Sequence, residues 1–173
     1  MRTAGKWAQQ MIDSHLPPSA RLSWDEFFAS QSRVMALRST CLRLQVGCVI
    51  VRDKRMIASG YNGSITGDVH CTDVGCKVAD GHCVRAIHAE QNALMQCARF
   101  GISTVDADIY VTHLPCLQCT KSIIQAGIAR VFFEESYRPD VYAAELLTLA
   151  GVKVQQVHSD VTLLISRQQP DID

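Results

Sequence analysis

The chain has 173 residues, a length that fits one domain with a buried hydrophobic core. Its 17 basic and 17 acidic residues leave a net charge of zero, which argues against a protein that mainly grips a nucleic-acid backbone. No apolar stretch reaches the length of about 18 residues that indicates a transmembrane helix, and no signal-peptide region is present. We therefore expect a cytoplasmic protein without a membrane partner, whose eight cysteines are metal ligands or buried thiols rather than disulfides.

The first predicted element is a helix that follows a polar N-terminal extension, residues 1–22. Ser23 and Glu26 have the spacing of a capping box, and the helix should run to about Arg38. Its three aromatic residues are expected to lie in the core: Trp24, Phe27 and Phe28.

A β-hairpin is predicted next. The β-branched run 46–51 reads as a buried strand, and residues 56–60 return as a second strand after a turn. The pair Asn62-Gly63 then predicts a turn just past the strand end. Tyr61 and Asn62 could contact a ligand there, although an ordinary tight turn explains the pattern equally well.

Residues 63–87 form an insert rich in cysteine and histidine and poor in large apolar side chains. Such a segment cannot order itself by apolar burial, but a structural zinc ion would clamp it because metal-binding energy becomes folding energy. A loop with free thiols is the alternative. The favoured zinc ligands are four cysteines, with His82 as a substitute: Cys41, Cys71, Cys76 and Cys83.

A second set of metal-type residues joins a His-x-Glu motif to a Pro-Cys-x-x-Cys motif. His88, Cys116 and Cys119 are the kinds of ligand that zinc prefers, and three of them leave a fourth position open to water. Because His88 should begin a helix, Glu90 is expected to stand beside that water as a base rather than as a ligand. These motifs match the signature of zinc-dependent nucleobase deaminases. The alternative is a closed structural zinc site, which would need a fourth protein ligand. His113 is the only candidate close to the motifs.

The remaining chain alternates helices and strands. Helices are predicted over 88–99, from 115 to Gly127 and over 141–149, and strands over 107–112, 129–133 and 152–157. This alternation favours a parallel sheet covered by helices, to which the hairpin adds an antiparallel edge. The zinc motifs then lie beyond strand ends at helix starts. The catalytic domain is expected to span 23–160, followed by a tail over 161–173.

From about Trp24 to Val157 the chain resembles the deoxycytidylate (dCMP) deaminases of the cytidine deaminase-like superfamily, and most of all the bacterial type encoded in late-competence operons. Besides the zinc motifs, three segments carry the resemblance: residues 38–41 (Arg-Ser-Thr-Cys), 60–63 (Gly-Tyr-Asn-Gly) and 121–127 (Lys-Ser-Ile-Ile-Gln-Ala-Gly). The resemblance implies a three-layer α/β fold with a five-stranded mixed sheet and helices on both faces. It also implies zinc-dependent hydrolysis of dCMP to dUMP and ammonia, which supplies dUMP for thymidylate synthesis.

The resemblance further implies homohexamers that dCTP and dTTP regulate. Asn62 would touch the nucleotide, and the effector-binding loop would include Tyr61, Asn62 and Gly63. Some members carry a second zinc, and one of them uses a Glu two residues before its catalytic His. That place is Ala86 here, so at least one ligand must differ.

Three further residues are candidates for substrate contacts. Tyr137 could pack near the base or the sugar, and an ordinary structural role fits it equally well. Arg85 and Arg138 are candidates for the phosphate.

Two other functions also fit the motifs. One is another deaminase of this fold, acting on a tRNA adenosine or a free nucleoside. The insert and the zero net charge count against the tRNA substrate, and no nucleic-acid partner is expected. The other is a non-catalytic, zinc-stabilised accessory protein of competence, which the presence of all four catalytic-type residues argues against.

Overall fold

The structure is a computed structural model that describes residues 22–79 and 81–159. The predicted N-terminal extension and C-terminal tail lie outside these residues, apart from residue 22, so the expected domain boundaries stay predictions. In chain order the described elements are α1 (Trp24–Ala36), β1 (Gly47–Arg52), β2 (Arg55–Tyr61), β3 (Gly63–Ser64), α2 (Cys71–Val74), β4 (Val78–Ala79), β5 (His82–Cys83), β6 (Ala86–Ile87), α3 (Ala89–Phe100), β7 (Asp108–His113), α4 (Leu117–Gln125), β8 (Arg130–Glu135), α5 (Val141–Leu149) and β9 (Lys153–Gln156).

Five strands form one mixed sheet in the order β2-β1-β7-β8-β9. Strand β1 runs antiparallel to both β2 and β7, whereas β7, β8 and β9 are parallel to one another. The predicted antiparallel hairpin at the sheet edge is confirmed. Asp53 and Lys54 turn the chain between β1 and β2 with positive φ angles of 52° and 59°, the geometry of a type I′ hairpin.

Helices cover both faces of the sheet, as expected. Residues of β1 alternate between the two cores: Cys48 and Ile50 pack with α3 and α4, while Val49 and Val51 pack against α1. All four are buried, which is why this strand reads as a continuous apolar run instead of an alternating one. No described helix is long and apolar enough to cross a membrane.

Helix α1 begins at the predicted capping box. The Ser23 hydroxyl accepts a hydrogen bond from the Glu26 N–H (3.2 Å), and the Glu26 carboxylate accepts one from the Ser23 N–H (2.8 Å). Of the three aromatic residues, only Phe28 is buried; Trp24 and Phe27 are 41% and 39% exposed. The expectation that all three lie in the core is therefore confirmed for Phe28 alone, while Trp24 and Phe27 pack at the rim of this core.

The predicted turn at Asn62-Gly63 is also wrong. Neither residue has a positive φ, and the chain continues extended from β2 into β3. The Asn62 N–H donates to the Val46 carbonyl (3.1 Å), which prolongs the β1–β2 pairing. The insert beyond it forms two small two-stranded sheets, β3–β6 and β4–β5, and the short helix α2.

Candidate metal centre and active site

Three side chains from two helix starts meet in one cluster: His88, Cys116 and Cys119. The Nδ1 atom of His88 lies 3.5 Å from the Cys116 Sγ atom and 3.3 Å from the Cys119 Sγ atom. In tetrahedral zinc, bonds of about 2.3 Å to sulfur and 2.0–2.1 Å to nitrogen separate these atoms by about 3.6 Å. The donor set and its spacing therefore fit zinc.

Helix capping explains why the ligands point at one another. His88 is the N-cap of α3 and Cys116 the N-cap of α4, and neither side chain caps its own helix. The ligand atoms of both side chains instead lie beside each other, and Cys119 joins them from the first turn of α4. The partial positive charge at both helix N-termini favours thiolates at this point.

The thiol pair already favours ionisation of one sulfur. Hydrogen bonding with Cys119, and then with the His88 ring, lowers the pKa of the Cys116 thiol to about 3. The same contact with Cys116 raises the pKa of Cys119. Hydrogen bonding to Cys116 raises the pKa of His88 in turn. A cation placed among the three atoms would meet a ready thiolate ligand.

Glu90 lies in the first turn of α3, two residues after His88, and it is only 4% exposed. Burial raises the pKa of its carboxyl group, which keeps a proton more readily than an exposed glutamate. Its carboxylate does not join the three-atom cluster of possible metal ligands. Glu90 thus lies beside the possible metal ligands, in contact with Cys119, without being one of the three.

The contact between β2 and α3 holds Glu90 in place. A Cβ atom on Gly60 would lie 2.3 Å from the Ala89 carbonyl oxygen and 2.6 Å from the Ala93 nitrogen. Only a residue without a side chain lets the helix start approach the strand this closely. Gly60 therefore serves helix packing from within β2, the strand that the sequence predicted over 56–60.

A cavity of about 380 Å³ opens over the cluster, and Glu90, His88 and Cys116 lie in its wall. Tyr137 and Arg138, which the sequence suggested for substrate contacts, also line it. Both follow β8 at the same sheet edge. This is where open α/β sheets usually bind ligands, beyond the carboxyl ends of their strands.

Asn62 lines the cavity too, but its side chain is already engaged. Its Oδ1 atom accepts from the Ser39 hydroxyl (2.6 Å) and the Val46 N–H (2.8 Å), and its Nδ2 donates to the Leu44 carbonyl (2.7 Å). These bonds tie the segment between α1 and β1 to the end of β2. The second N–H of the Asn62 amide forms no hydrogen bond with a described residue.

The predicted phosphate candidate Arg85 does not line the cavity. Its Nη1 atom lies 2.6 Å from the Asp68 carboxylate, and this ion pair braces the insert. The basic residue that sequence reasoning missed is Arg43, which does line the cavity. Its only signal in the sequence is a cation two residues after Cys41, in a segment without a recognisable pattern.

His113 does not complete a closed zinc site. Its Nδ1 atom is 2.9 Å from the Thr112 hydroxyl, and its Nε2 atom is 3.5 Å from the Glu135 carboxylate. Both ring nitrogens therefore face groups other than the metal-type cluster. The ligand set stays open at its fourth position within the described part of the chain.

The insert contains a second cluster, formed by Cys71, Cys76 and Cys83. The Sγ atoms of Cys71 and Cys83 are 3.7 Å apart, close to the separation of about 3.8 Å that two thiolates take on one tetrahedral zinc. Although burial opposes ionisation of Cys83, hydrogen bonds from the N–H groups of Arg85 and Ala86 lower its pKa to about 7. This cluster also fits a metal ion.

The structure does not bring Cys41 into the insert cluster. Its Sγ atom accepts from the Arg43 N–H (3.5 Å), and the residue lines the cavity instead. The chain between α1 and β1 is anchored by Asn62, which holds Cys41 on the cavity side. The side chain of the substitute ligand, His82, lies outside the described part.

Comparison with known proteins agrees with this geometry. The family model for the cytidine and deoxycytidylate deaminase zinc-binding region matches residues 22–135. ComE operon protein 2 of Bacillus subtilis is 61% identical over 140 residues, which cover 81% of this chain and 74% of that protein. The deoxycytidylate deaminase of Saccharomyces cerevisiae is 38% identical over 83% of this chain, which spans about half (48%) of the yeast protein.

A solved structure has the same fold. The dCMP deaminase of cyanophage S-TIM5, crystallised with dCMP and dUMP, superimposes with a TM-score of 0.69 at 30% sequence identity. The match covers 83% of this chain and all of the phage protein.

Proposed function

The chain belongs to the cytidine and deoxycytidylate deaminase zinc-binding family, and we propose that it hydrolyses dCMP to dUMP and ammonia. The observation that carries the proposal is the meeting of His88, Cys116 and Cys119 beside the buried carboxyl group of Glu90. This arrangement joins an open metal site to a proton carrier in the wall of one cavity. Hydrolytic deamination of a cytosine ring requires these two elements, a metal site that activates water and a carboxyl group that carries protons.

His88 Nδ1 and the two sulfur atoms would hold the catalytic zinc. When bound there, zinc would activate a water molecule as a nucleophile at neutral pH. Cys116 and Cys119, at the start of α4, would balance the charge of the metal and hold it at the cavity wall. The buried position of Cys119 keeps bulk water from that side.

Glu90 is the proton carrier in this proposal. Its carboxylate takes the proton of the attacking water and delivers it to N3 of the cytosine ring. It then takes the remaining proton from the hydroxyl group now bonded to C4 and passes it to the departing amine, so that the C4 carbonyl forms, ammonia leaves and dUMP remains. Burial suits this task because a raised pKa makes the Glu90 carboxylate a stronger proton acceptor than an exposed glutamate.

We also propose a structural zinc in the insert, held by Cys71, Cys76 and Cys83. The 3.7 Å separation of two of the sulfur atoms supports it. His82 is the substitute that the sequence suggests for the fourth ligand. Since Cys83 lines the cavity as well, this metal would stabilise part of the cavity wall.

The proposal also includes the assembly of the chain into an oligomer and its regulation by nucleotides. The exposed apolar residues of α5, Val141, Tyr142 and Leu149, support a homo-oligomer, and the family resemblance points to a hexamer under dCTP and dTTP control. Asn62 and Gly63 are buried, so Tyr61 is the part of the proposed effector segment with exposed surface. A cytoplasmic location suits its free cysteines, which stay reduced there.

An ammonia-release assay across four substrates tests the proposed function. We expect release from dCMP, with little or none from dCTP, deoxycytidine and a tRNA. Release from tRNA alone would replace the proposal with tRNA adenosine deamination. Absence of release from all four by zinc-loaded protein would favour a non-catalytic role.

A further inference from the structure

His113 ends β7 in the wall of the cavity over the metal-type cluster, and the protein holds its ring on two sides. Only 12% of its side chain is exposed. On one side its Nδ1 atom meets the hydroxyl of the buried Thr112, which accepts a hydrogen bond from the Gly47 N–H (3.2 Å). On the other side its Nε2 atom faces the carboxylate of Glu135. Contacts that involve both strands beside β7 thus fix the ring.

These contacts decide which nitrogen of the His113 ring carries the hydrogen. Burial lowers the pKa of His113, which favours the neutral ring. A carboxylate can only accept hydrogen bonds, so the hydrogen belongs on Nε2, which faces Glu135. Nδ1 then accepts from the Thr112 hydroxyl. Because the protein engages both nitrogens, the ring offers the cavity its flat carbon surface.

Glu135 is itself held by a residue from the other side of the sheet. Its Oε2 atom faces His113, while its Oε1 atom accepts a hydrogen bond from the Arg33 Nη2 atom (2.7 Å). Arg33 lies in the last turn of α1 and also pairs with the buried carboxylate of Glu134. Helix α1 packs on the sheet face opposite to α3 and α4. A chain of contacts therefore runs from α1, past the end of β8, to the cavity.

Neither Arg33 nor Glu135 lines the cavity that contains Glu90; both line a separate cavity of about 450 Å³. They therefore do not touch a substrate that is bound beside Glu90. His113 does share the cavity of about 380 Å³ with Glu90, so a flat pyrimidine ring bound there meets its ring. A wall that is already held at one angle loses no side-chain freedom when the base binds.

We propose that Glu135 and Arg33 are positioning residues, which act on the pyrimidine ring of the substrate by holding the His113 ring at one angle against it. The proposal rests on the proposed function for the identity of the substrate. It links α1 to the cavity on the far side of the sheet through two side chains that the substrate does not reach.

Calorimetry with dUMP and deoxyuridine on zinc-loaded protein tests the positioning role without turnover. Glu135→Ala should weaken the binding of both ligands by the same factor, roughly 2- to 10-fold, because a freed His113 ring must be ordered on binding. The KM for dCMP should rise by a similar factor while kcat changes little. Glu135→Gln should keep most of the affinity, since its amide oxygen can still accept from Nε2. Arg130→Gln is the matched control, because it breaks an exposed ion pair with Asp108 at the opposite end of β8.

A double-mutant cycle shows whether Glu135 acts through His113. His113→Ala should weaken dUMP binding at least as strongly as Glu135→Ala, and adding Glu135→Ala to it should cause no further loss. An equal further loss in the His113→Ala background would overturn the proposal, as would unchanged affinity in Glu135→Ala or an equal loss in Arg130→Gln. Arg33→Gln should weaken binding in the same direction, and unchanged affinity there would remove Arg33 from the role.

The outcome is separable from that of the proposed function. Affinities that follow this pattern, in zinc-loaded protein that releases no ammonia from dCMP, would keep the positioning role and overturn the proposed function. Ammonia release from dCMP together with unchanged affinity in Glu135→Ala would do the reverse.

Discussion

The His88 Nδ1 atom and the Cys119 Sγ atom lie 3.3 Å apart although 31 positions separate the two residues in the chain. Each belongs to the start of a different helix, and both helices pack on the same face of the sheet. Strand β7 lies between α3 and α4 in sequence, and its carboxyl end places the start of α4 beside the start of α3. The two short motifs therefore become one metal-type site through the crossover of the parallel sheet.

The first prediction concerns metal content. Elemental analysis of metal-replete protein should find two zinc ions per chain, because two clusters have donor spacings that fit zinc. Cys71→Ser should lower the count to one and reduce the thermal midpoint. Cys119→Ser should lower it to one as well, and it should abolish turnover.

The two cysteine variants are controls for each other, since each removes a ligand from a different cluster. A count of one in the wild type would contradict the metal site in the insert. Loss of both metals in Cys71→Ser would contradict the independence of the two sites.

Much of the fold could be predicted because local patterns fix it. The bounds of the last helix, Val141–Leu149, agree with the prediction, since Asp140 caps it and Gly151 follows its end. The metal-type cluster could also be predicted, because the His-x-Glu and Pro-Cys-x-x-Cys motifs each place a ligand at a helix start.

Other features depend on contacts between distant segments and could not be read locally. Asn62 accepts hydrogen bonds from Ser39 and Val46, so an Asn-Gly pair that favours a turn is held extended instead. Arg43 reaches the cavity only because the insert folds back over the segment that carries it. No spacing rule in the sequence links Arg43 to Gly81, which is 38 positions away.

The second prediction is that Gly60→Ala damages both stability and activity. The new Cβ atom would meet backbone atoms of α3 at 2.3 Å and 2.6 Å and would push Glu90 away from the metal site. Overpacking of this kind costs about 1–3 kcal/mol of unfolding free energy. Chemical denaturation and dCMP turnover measure the two effects.

Gly63→Ala is the matched control for this variant. Its Cβ atom would meet the Thr40 Oγ1 atom at 2.5 Å, and a side-chain hydroxyl can rotate away. The Gly63 variant should therefore retain more stability and activity than the Gly60 variant. Equal losses in the two would contradict the role assigned to the Gly60 contact.

The third prediction concerns stability at acid pH. The backbone and side chain of Ser23 hydrogen-bond to Glu26 and lower its pKa below 4.5. A lowered pKa stabilises the fold above pH 4.5, and this stabilisation is lost as the pH falls through the folded-state pKa. Glu26→Gln should thus be less stable than wild type at pH 7, by about 0.3 kcal/mol for so exposed a group.

The stability gap between the two proteins should narrow as the pH falls from 7 to 3, because a protonated glutamate resembles glutamine. Loss of zinc at low pH affects both proteins and cancels in the comparison. Glu145→Gln, on the exposed face of α5, is the control for charge removal. A stability gap that persists unchanged at pH 3 would contradict the capping-box explanation.

The fourth prediction is allosteric control. We expect sigmoidal dependence of the rate on dCMP, which dCTP makes more hyperbolic and dTTP opposes. This requires dCTP to bind the active arrangement more tightly, with a coupling of about 1–3 kcal/mol. Saturation curves with and without each triphosphate measure the allosteric response. Light scattering measures the oligomeric state. Hyperbolic curves that neither triphosphate changes would contradict allosteric control without affecting the deaminase proposal.

The most direct test of zinc-dependent deamination compares wild type with Glu90→Gln. Glutamine keeps the shape of Glu90 but cannot carry protons, and general acid–base contributions reach about 10⁴-fold. We predict that the variant keeps its full zinc content and produces dUMP and ammonia from dCMP at least roughly 10⁴-fold more slowly than wild type. Near-normal turnover by zinc-loaded Glu90→Gln would contradict the mechanism proposed for this site.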